Sequence, residues 1–256
     1  MSKSTLGLPL EYSTLHKFYD ALCSGDTDSK NNLIETILKK HGVKTVLDLT
    51  CGTGSQVFWL AKRGYKVTGS DISPALLAQA REKAQQEKLD VTLLEGDMRT
   101  VKVGAFDAVI TIFNAVGHLT KADFEKAMQN IHSNLNDGGL YVFDIFNLAS
   151  MTDQVVDDLT MDAQKTINGI KIHHVQYSKI DRETGRLTSY DSFTLQERSG
   201  KPQVLTGEFT LQIYTAQELT EMLARSGFKV LEQCGLDGST FSDQKTTNIL
   251  TIAQKL

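Results

Sequence analysis

The stretch Val46-Leu47-Asp48-Leu49-Thr50-Cys51-Gly52-Thr53-Gly54 decides the fold. It opens as a short apolar run of strand type, Thr45–Leu49, breaks into a turn that holds two glycines, and leads into a helix-like segment, Ser55–Arg63. Glycine at such a break lets the chain turn sharply and lets a ligand approach with no Cβ in the way. The start of the following helix offers N–H groups without intrahelical partners, a setting suited to an anionic group such as a carboxylate. Asp71 follows the next strand-like run, Lys66–Ser70, at about the separation at which an acid in strand–turn–helix units takes ribose hydroxyls. A carboxylate can accept two such hydrogen bonds at once.

Downstream of this unit, strand-like and helix-like segments alternate. Helical spacing marks Pro74–Glu87 and Lys121–Leu135, and short apolar runs mark Val91–Glu95, Phe106–Phe113 and Gly139–Phe143. Repeated β-α-β order predicts a mostly parallel sheet with helices on both faces. Upstream, Leu10–Lys40 reads as helical with a polar break at Gly25-Asp26-Thr27-Asp28. From about Lys171 the period changes to two. Lys171–Ile180, Arg186–Arg198 and Gln203–Tyr214 read as three antiparallel strands joined by turn-rich links. Thr215-Ala216-Gln217-Glu218 then has the form of a capping box, opening a helix that ends at Gly227, and Lys229–Cys234 and Asn248–Gln254 close the chain as strands. One unit over 1–256 is expected. A ligand-binding core covers 10–150, an insertion covers 151–214 as a lid or an oligomer interface, and 215–256 supplies the last elements of the core.

Composition fits a soluble globular protein: 40% of the 256 residues are hydrophobic and 23% charged, with a net charge of −4. No Lys/Arg block is present, so nucleic acid is not an expected partner. Met1–Leu10 has no basic segment followed by an apolar run, and no stretch is long enough to span a membrane, so a cytoplasmic location is expected. Cys23, Cys51 and Cys234 are odd in number and widely spaced, which suggests neither disulfides nor zinc. His173-His174, adjacent on a strand, point to opposite faces and make a poor metal site.

The identity of the loop's ligand can be narrowed. A dinucleotide favours a third glycine three residues after Gly54, where Val57 stands. No Tyr-x-x-x-Lys pair occurs, and the loop continues Gly54-Ser55-Gln56 rather than Gly-Lys-Ser/Thr. These absences argue against a nicotinamide-dependent oxidoreductase and against a phosphate-binding loop. An adenosine carrying no phosphate is left, and Asp48, just before the turn, suits an ammonium group.

Asp48-Leu49-Thr50-Cys51-Gly52-Thr53-Gly54 resembles the cofactor loop of class I, Rossmann-like, S-adenosylmethionine-dependent methyltransferases. The resemblance continues through Asp71-Ile72-Ser73, Gly96-Asp97-Met98-Arg99, Phe106-Asp107-Ala108-Val109 and Leu135-Asn136-Asp137-Gly138-Gly139, and covers about Tyr19 to Ile145 plus the terminal strands. It implies an α/β fold: a seven-stranded, mostly parallel sheet with helices on both faces and a three-stranded antiparallel insertion after the fifth strand. It implies S-adenosyl-L-methionine as cofactor. Asp48, with Thr50, Cys51, Gly52 and Gly54, would hold the methionine end. Asp71 would bind the ribose diol and Ile72 the adenine face. Asp97 would accept from the adenine amino group, with Met98 bordering the ring. Phe113, at the end of the fourth strand, would also border the cofactor. Tyr19 lies in a Phe-Tyr-Asp string like one in the family's N-terminal helix, which closes over the cofactor.

Past the fourth strand the chain reads Phe113-Asn114-Ala115-Val116-Gly117-His118. The N/D-P-P-Y/F string of adenine- and glutamine-methylating branches is absent there, and the segment is closer to small-molecule N-methyltransferases of the glycine/sarcosine and aminosugar kinds. Two asparagines at strand ends, Asn114 and Asn147, are candidate acceptor contacts. His118 is the candidate base or orienting group, and as a base it would titrate in the usual histidine range near 6–7. The expected partner is a small-molecule methyl acceptor, with a possible homodimer through the insertion. A methyltransferase-like protein without turnover, or an enzyme acting on RNA or protein, is the alternative. Tyr177, Tyr190 and Phe209 could line either the pocket or an interface.

Overall fold

The computed structural model describes residues 6–23, 25 and 27–256. Met1–Thr5 of the N-terminal segment and Asp26 of the polar break lie outside them. The central strand β1 (Thr45–Asp48) is buried from Val46 onward. It pairs in parallel with β2 (Lys66–Asp71) on one side and with β4 (Phe106–Thr111) on the other. β3 (Thr92–Glu95) extends the sheet past β2, and β5 (Leu135–Phe146) extends it past β4. The C-terminal strands β10 (Phe228–Gly235) and β11 (Asn248–Lys255) complete it, with β11 antiparallel to β5. The order is β10-β11-β5-β4-β1-β2-β3.

A strand covered on both faces reads as continuously apolar, and its successive side chains enter different layers. Val46 packs with Ile34 and Leu38 of α2 (Thr27–Lys40), Val57 and Leu60 of α3 (Ser55–Ala61), and Leu77 and Ala80 of α4 (Pro74–Glu87). Leu47 packs with Phe124 and Ile131 of α5 (Lys121–Ser133) and Leu219 and Leu223 of α7 (Ala216–Arg225). The capping box at Thr215 and Glu218 is formed as its spacing predicts. Strand β5 begins earlier than expected. Asn136-Asp137-Gly138-Gly139, a turn by composition, is absorbed as an irregularity in the β4–β5 pairing, where Gly138 takes φ +73°.

The insertion differs from the expected three strands. After a short helix, α6 (Asp153–Asp158), it forms a four-stranded antiparallel sheet: β6 (Met161–Ile167), β7 (Ile170–Asp181), β8 (Arg186–Gln196) and β9 (Gln203–Gln212). Strand β6 carries the residues Met-Asp-Ala-Gln-Lys-Thr-Ile and is exposed or half-exposed throughout. An edge strand with solvent on both faces needs no apolar alternation, so periodicity does not reveal it.

The N-terminal segment is also broken more finely than a helix to Lys40. Tight turns at Leu10–Tyr12 and His16–Phe18 lead into the four-residue helix α1 (Tyr19–Leu22). This strap lies between the insertion and the core. Leu15 packs with Ile172 and Phe193 of the insertion, and Thr210 donates its N–H to the Leu6 carbonyl (2.7 Å). On the other side Ser73 Oγ donates to Tyr12 O, Gln79 Nε2 donates to His16 O (each 2.8 Å), and Asp20 pairs with Lys83. Among the described residues no helix is long and apolar enough to cross a membrane.

Gly54, at φ +94°, closes the β1–α3 turn, and a Cβ there would stand 2.5 Å from Cε2 and Cζ of Phe58. Gly54→Ala is expected to cost about 2–4 kcal/mol of unfolding free energy in urea, from backbone strain plus overpacking. Phe58→Leu in the same chain should recover part of the loss.

Candidate active site

The turn after β1 is built by backbone hydrogen bonds to two carboxylates. Asp48 Oδ1 accepts from Thr50 N–H (3.1 Å). Asp71 Oδ2 accepts from Gly52 N–H and Oδ1 from Ser73 N–H (each 2.8 Å). Gly52 takes φ +51°, and the nearest atoms to a Cβ built there are the Tyr19 hydroxyl at 3.9 Å and Leu76 Cδ1 at 4.0 Å. Tyr19 and Leu76 thus lie across the loop from Gly52 at ordinary van der Waals distance. Thr53 Oγ1 donates to Asp20 Oδ1 (2.6 Å), tying the strap to the loop one residue further on.

This site fits a ligand with cationic groups and hydrogen-bond donors. Asp48 Oδ2 and Thr50 Oγ1 are buried without a partner. Burial pushes the Asp48 carboxyl up to about 7, and the neighbouring charge of Asp71 adds to the effect. Burial also raises Asp71, against three backbone N–H groups that favour its ionised form. Among the described residues no cation acts on either enclosed carboxylate, and a ligand that brings one completes them. Ile72, next to Asp71, leaves 41% of its surface exposed, an apolar face suited to an aromatic base. S-adenosylmethionine, with an ammonium, a sulfonium, a ribose diol and an adenine, meets each of these features. Asp48 and Asp71 would hold it, and it supplies a methyl group already activated by its sulfonium.

Asp97 and Met98 follow β3, and Phe113 follows β4, with Met98 and Phe113 packed against the two hydrophobic layers of the core. Gly96 N–H donates to Asp71 O (3.0 Å), which brings Asp97 beside Asp71. Burial works to raise the Asp97 carboxyl, and the Arg99 guanidinium bound to it overcomes this and lowers it. Arg99 thus orients Asp97, with a second anchor on Asp123 (3.2 Å). The Met98 carbonyl accepts from Asn130 Nδ2 (3.0 Å). Cys51 departs from its expected role. Its N–H goes to Ser70 O, its carbonyl accepts from Gly54 N–H, and its thiol is buried in the core where Gly69 leaves room for it. Cys51 shapes the loop, with its N–H and thiol committed to the fold.

On the acceptor side, two consecutive left-handed residues follow β4, Phe113 (φ +67°) and Asn114 (φ +57°). Such residues cost about 1–3 kcal/mol each unless their surroundings hold them. Asp144 holds both: Oδ1 accepts from Phe113 N–H (2.6 Å), and Oδ2 accepts from Asn114 N–H and Asn248 Nδ2 (each 3.3 Å). Burial lifts the Asp144 carboxyl to about 6. Asn114 faces a cleft of about 620 Å³ shared with Lys30, Phe146 and Lys245. His118 is buried beyond this bend, its ring 5.5 Å from Tyr12 and 5.8 Å from Phe209. Tyr12 in turn lies 5.8 Å from Tyr19, so an aromatic row runs from the glycine loop to the insertion. Sequence reasoning missed Tyr12 and Asp144. Asp144 ends a strand on the ligand side of the sheet, and that position was the available signal.

Asn147 does not serve the acceptor. It is fully buried; Nδ2 donates to the carbonyls of Asp243 and Thr246 (2.9 Å each), and Oδ1 accepts from Ala149 N–H (3.1 Å). Asn147→Ala is expected to cost about 2–3 kcal/mol of stability, leaving two carbonyls unsatisfied, with acceptor KM unchanged in the folded fraction. Asp48 gives the opposite pattern. Its raised folded-state value means its contribution to stability is full below the unfolded value near 4 and is lost as pH rises through about 7. Asp48→Asn should weaken cofactor binding at least tenfold by calorimetry at pH 7.5 without lowering the ligand-free unfolding midpoint. Wild-type affinity should fall as pH drops below about 7, with proton release on binding at pH 6.

Comparisons with known proteins agree with this geometry. A family model described as a methyltransferase domain matches residues 46–139. A protein of Geobacillus sp. (strain WCH70), placed by name among the methyltransferases, is 25% identical over 87% of this chain and 91% of its own. Rabbit (Oryctolagus cuniculus) glycine N-methyltransferase is 31% identical over 47% of this chain and 48% of its own, about half of each. The crystal structure of an S-adenosylmethionine-dependent methyltransferase from Clostridium acetobutylicum superposes with a TM-score of 0.79 at 17% identity, covering 95% of this chain and 98% of that one, and shows the shared fold. The chain thus carries a methyltransferase domain on a Rossmann-like core, and the site built by its glycine loop fits S-adenosylmethionine as the cofactor.

Proposed function

We propose that the enzyme transfers the methyl group by direct in-line displacement to the nitrogen of a small-molecule amine. The observation that carries this reading is His118, a buried imidazole set between Tyr12 and Phe209 at the end of the row that starts over the glycine loop. Burial lowers its pKa to about 4, well below the range near 6–7 expected from the sequence. At neutral pH the ring is uncharged and can accept a hydrogen bond from an amine N–H. Its weak basicity suits orienting an already neutral amine better than removing a proton from an ammonium. The tyrosine rings favour the positive charge that nitrogen gains as the methyl arrives. The match to glycine N-methyltransferase supports nitrogen as the target.

The insertion's inner face closes this pocket, with Phe209 on it. Its outer face carries Tyr177 and Tyr190, stacked at 4.9 Å, with Tyr177 exposed. That face supports association of two copies, which light scattering reads as a mass twice 28.3 kDa.

The test is a panel of amines, alcohols and activated carbon acids with S-adenosylmethionine, followed by release of S-adenosylhomocysteine and by product mass. Turnover confined to oxygen or carbon acceptors overturns the nitrogen assignment. With an accepted amine, His118→Asn should lower kcat by roughly 10²-fold with cofactor affinity nearly unchanged. The wild-type rate should show no histidine titration between pH 6 and 8. A full rate in the folded variant would assign His118 to packing alone.

A further inference from the structure

The strap and the insertion enclose a second group of polar side chains that the transfer step does not use. Strand alternation puts His174 on β7, Asp191 and Ser189 on β8, and Gly207 and Phe209 on β9 on one face of the insertion. Cross-strand pairing sets Asp191 opposite Gly207 and Ser189 opposite Phe209. His174 Nε2 meets Asp191 Oδ1 at 2.8 Å, both residues are buried, and the imidazole stacks on Phe193 at 3.8 Å. His173, one residue earlier, turns outward to the exposed Asp162 (2.7 Å). Gly207 has no side chain, and Leu10 of the strap fills its place, 3.0 Å from where a Cβ would stand. That packing delivers the next residue, Glu11, to the Asp191–His174 pair.

Glu11 is 8% exposed, and its Oε2 is buried without a hydrogen-bond partner. The charges of Asp191 and His174 act on it from the insertion, and it acts in turn on Tyr12, Tyr19 and Cys23 of the strap. One imidazole therefore faces two carboxylates, and the carboxylate it does not pair with has an oxygen lacking a donor. A neutral donor would satisfy the hydrogen bond alone. A cationic donor satisfies the hydrogen bond and the charge together, and such bonds are the stronger kind.

Glu11 immediately precedes Tyr12, whose ring contacts His118. We infer that Glu11 is a specificity-determining residue of the acceptor pocket: with Asp191 and His174 it takes a second, cationic amine of the acceptor, while the nitrogen to be methylated lies at Tyr12 and His118. The acceptor class is then a diamine or a molecule carrying a diamine-like pair of nitrogens. This rests on the proposed amine-methylating function.

The test uses the full chain saturated with S-adenosylhomocysteine, with calorimetric titration of matched probes: propane-1,3-diamine and butane-1,4-diamine against propylamine and butylamine. The diamines should bind at least tenfold more tightly than the monoamines of equal length. Glu11→Gln, which keeps the shape and removes the charge, should abolish the preference and leave S-adenosylhomocysteine affinity within twofold. Equal affinities in the wild type, or a preference that survives Glu11→Gln, overturn the assignment. The wild-type comparison needs no variant, so it decides the matter even if Glu11→Gln folds poorly. Saturable S-adenosylhomocysteine binding is established first. Its failure counts against the cofactor site, whereas its success with indifferent probes counts against Glu11 only.

Discussion

Asp71 Oδ2, accepting the Gly52 N–H at 2.8 Å, is the contact on which the rest of the site depends. It joins the end of β2 to the loop that leaves β1, and so fixes the loop's path over the carboxyl edge of the sheet. The other Asp71 oxygen takes the Ser73 N–H just before α4, whose N-terminus Ser73 itself caps. One side chain thus sets both the glycine loop and the start of the next helix. The burial this requires raises the carboxyl's pKa, and the same burial keeps water from competing for the ligand.

The parts of this arrangement that are local in sequence were legible there. Asp48, Gly52, Gly54 and Asp71 lie within a single strand–turn–helix–strand unit, where spacing maps directly onto geometry. The capping box at Thr215 and Glu218 was legible for the same reason, since three residues define it. Cys51 was misread because a loop motif names positions and not directions. Its side chain goes inward to the gap at Gly69, and nothing in the string of residues says so.

The acceptor side was less legible because its contacts join distant segments. Asp144 supports Phe113 and Asn114 from thirty residues away, and two left-handed residues without glycine give no warning in the sequence. Asn147 sat at the right end of the right strand and still proved to be a clamp for Asp243 and Thr246. Strand β6 carries no periodic signal, since solvent covers both its faces. Tyr12 meets His118 across more than a hundred positions, and Phe209 meets it from the other direction.

The strap has a kinetic consequence. It is bound to the glycine loop through Asp20 and Thr53, to α4 through Ser73 and Gln79, and to the insertion through Leu15. Tyr19 lies across the loop from Gly52, so a ligand held by that loop would exchange only as fast as the strap opens. The lifetime of such a closed state would then cap the number of cycles per second, however fast the bond exchange beneath it runs. Any molecule that lengthens that lifetime slows the enzyme without ever touching the transferred methyl.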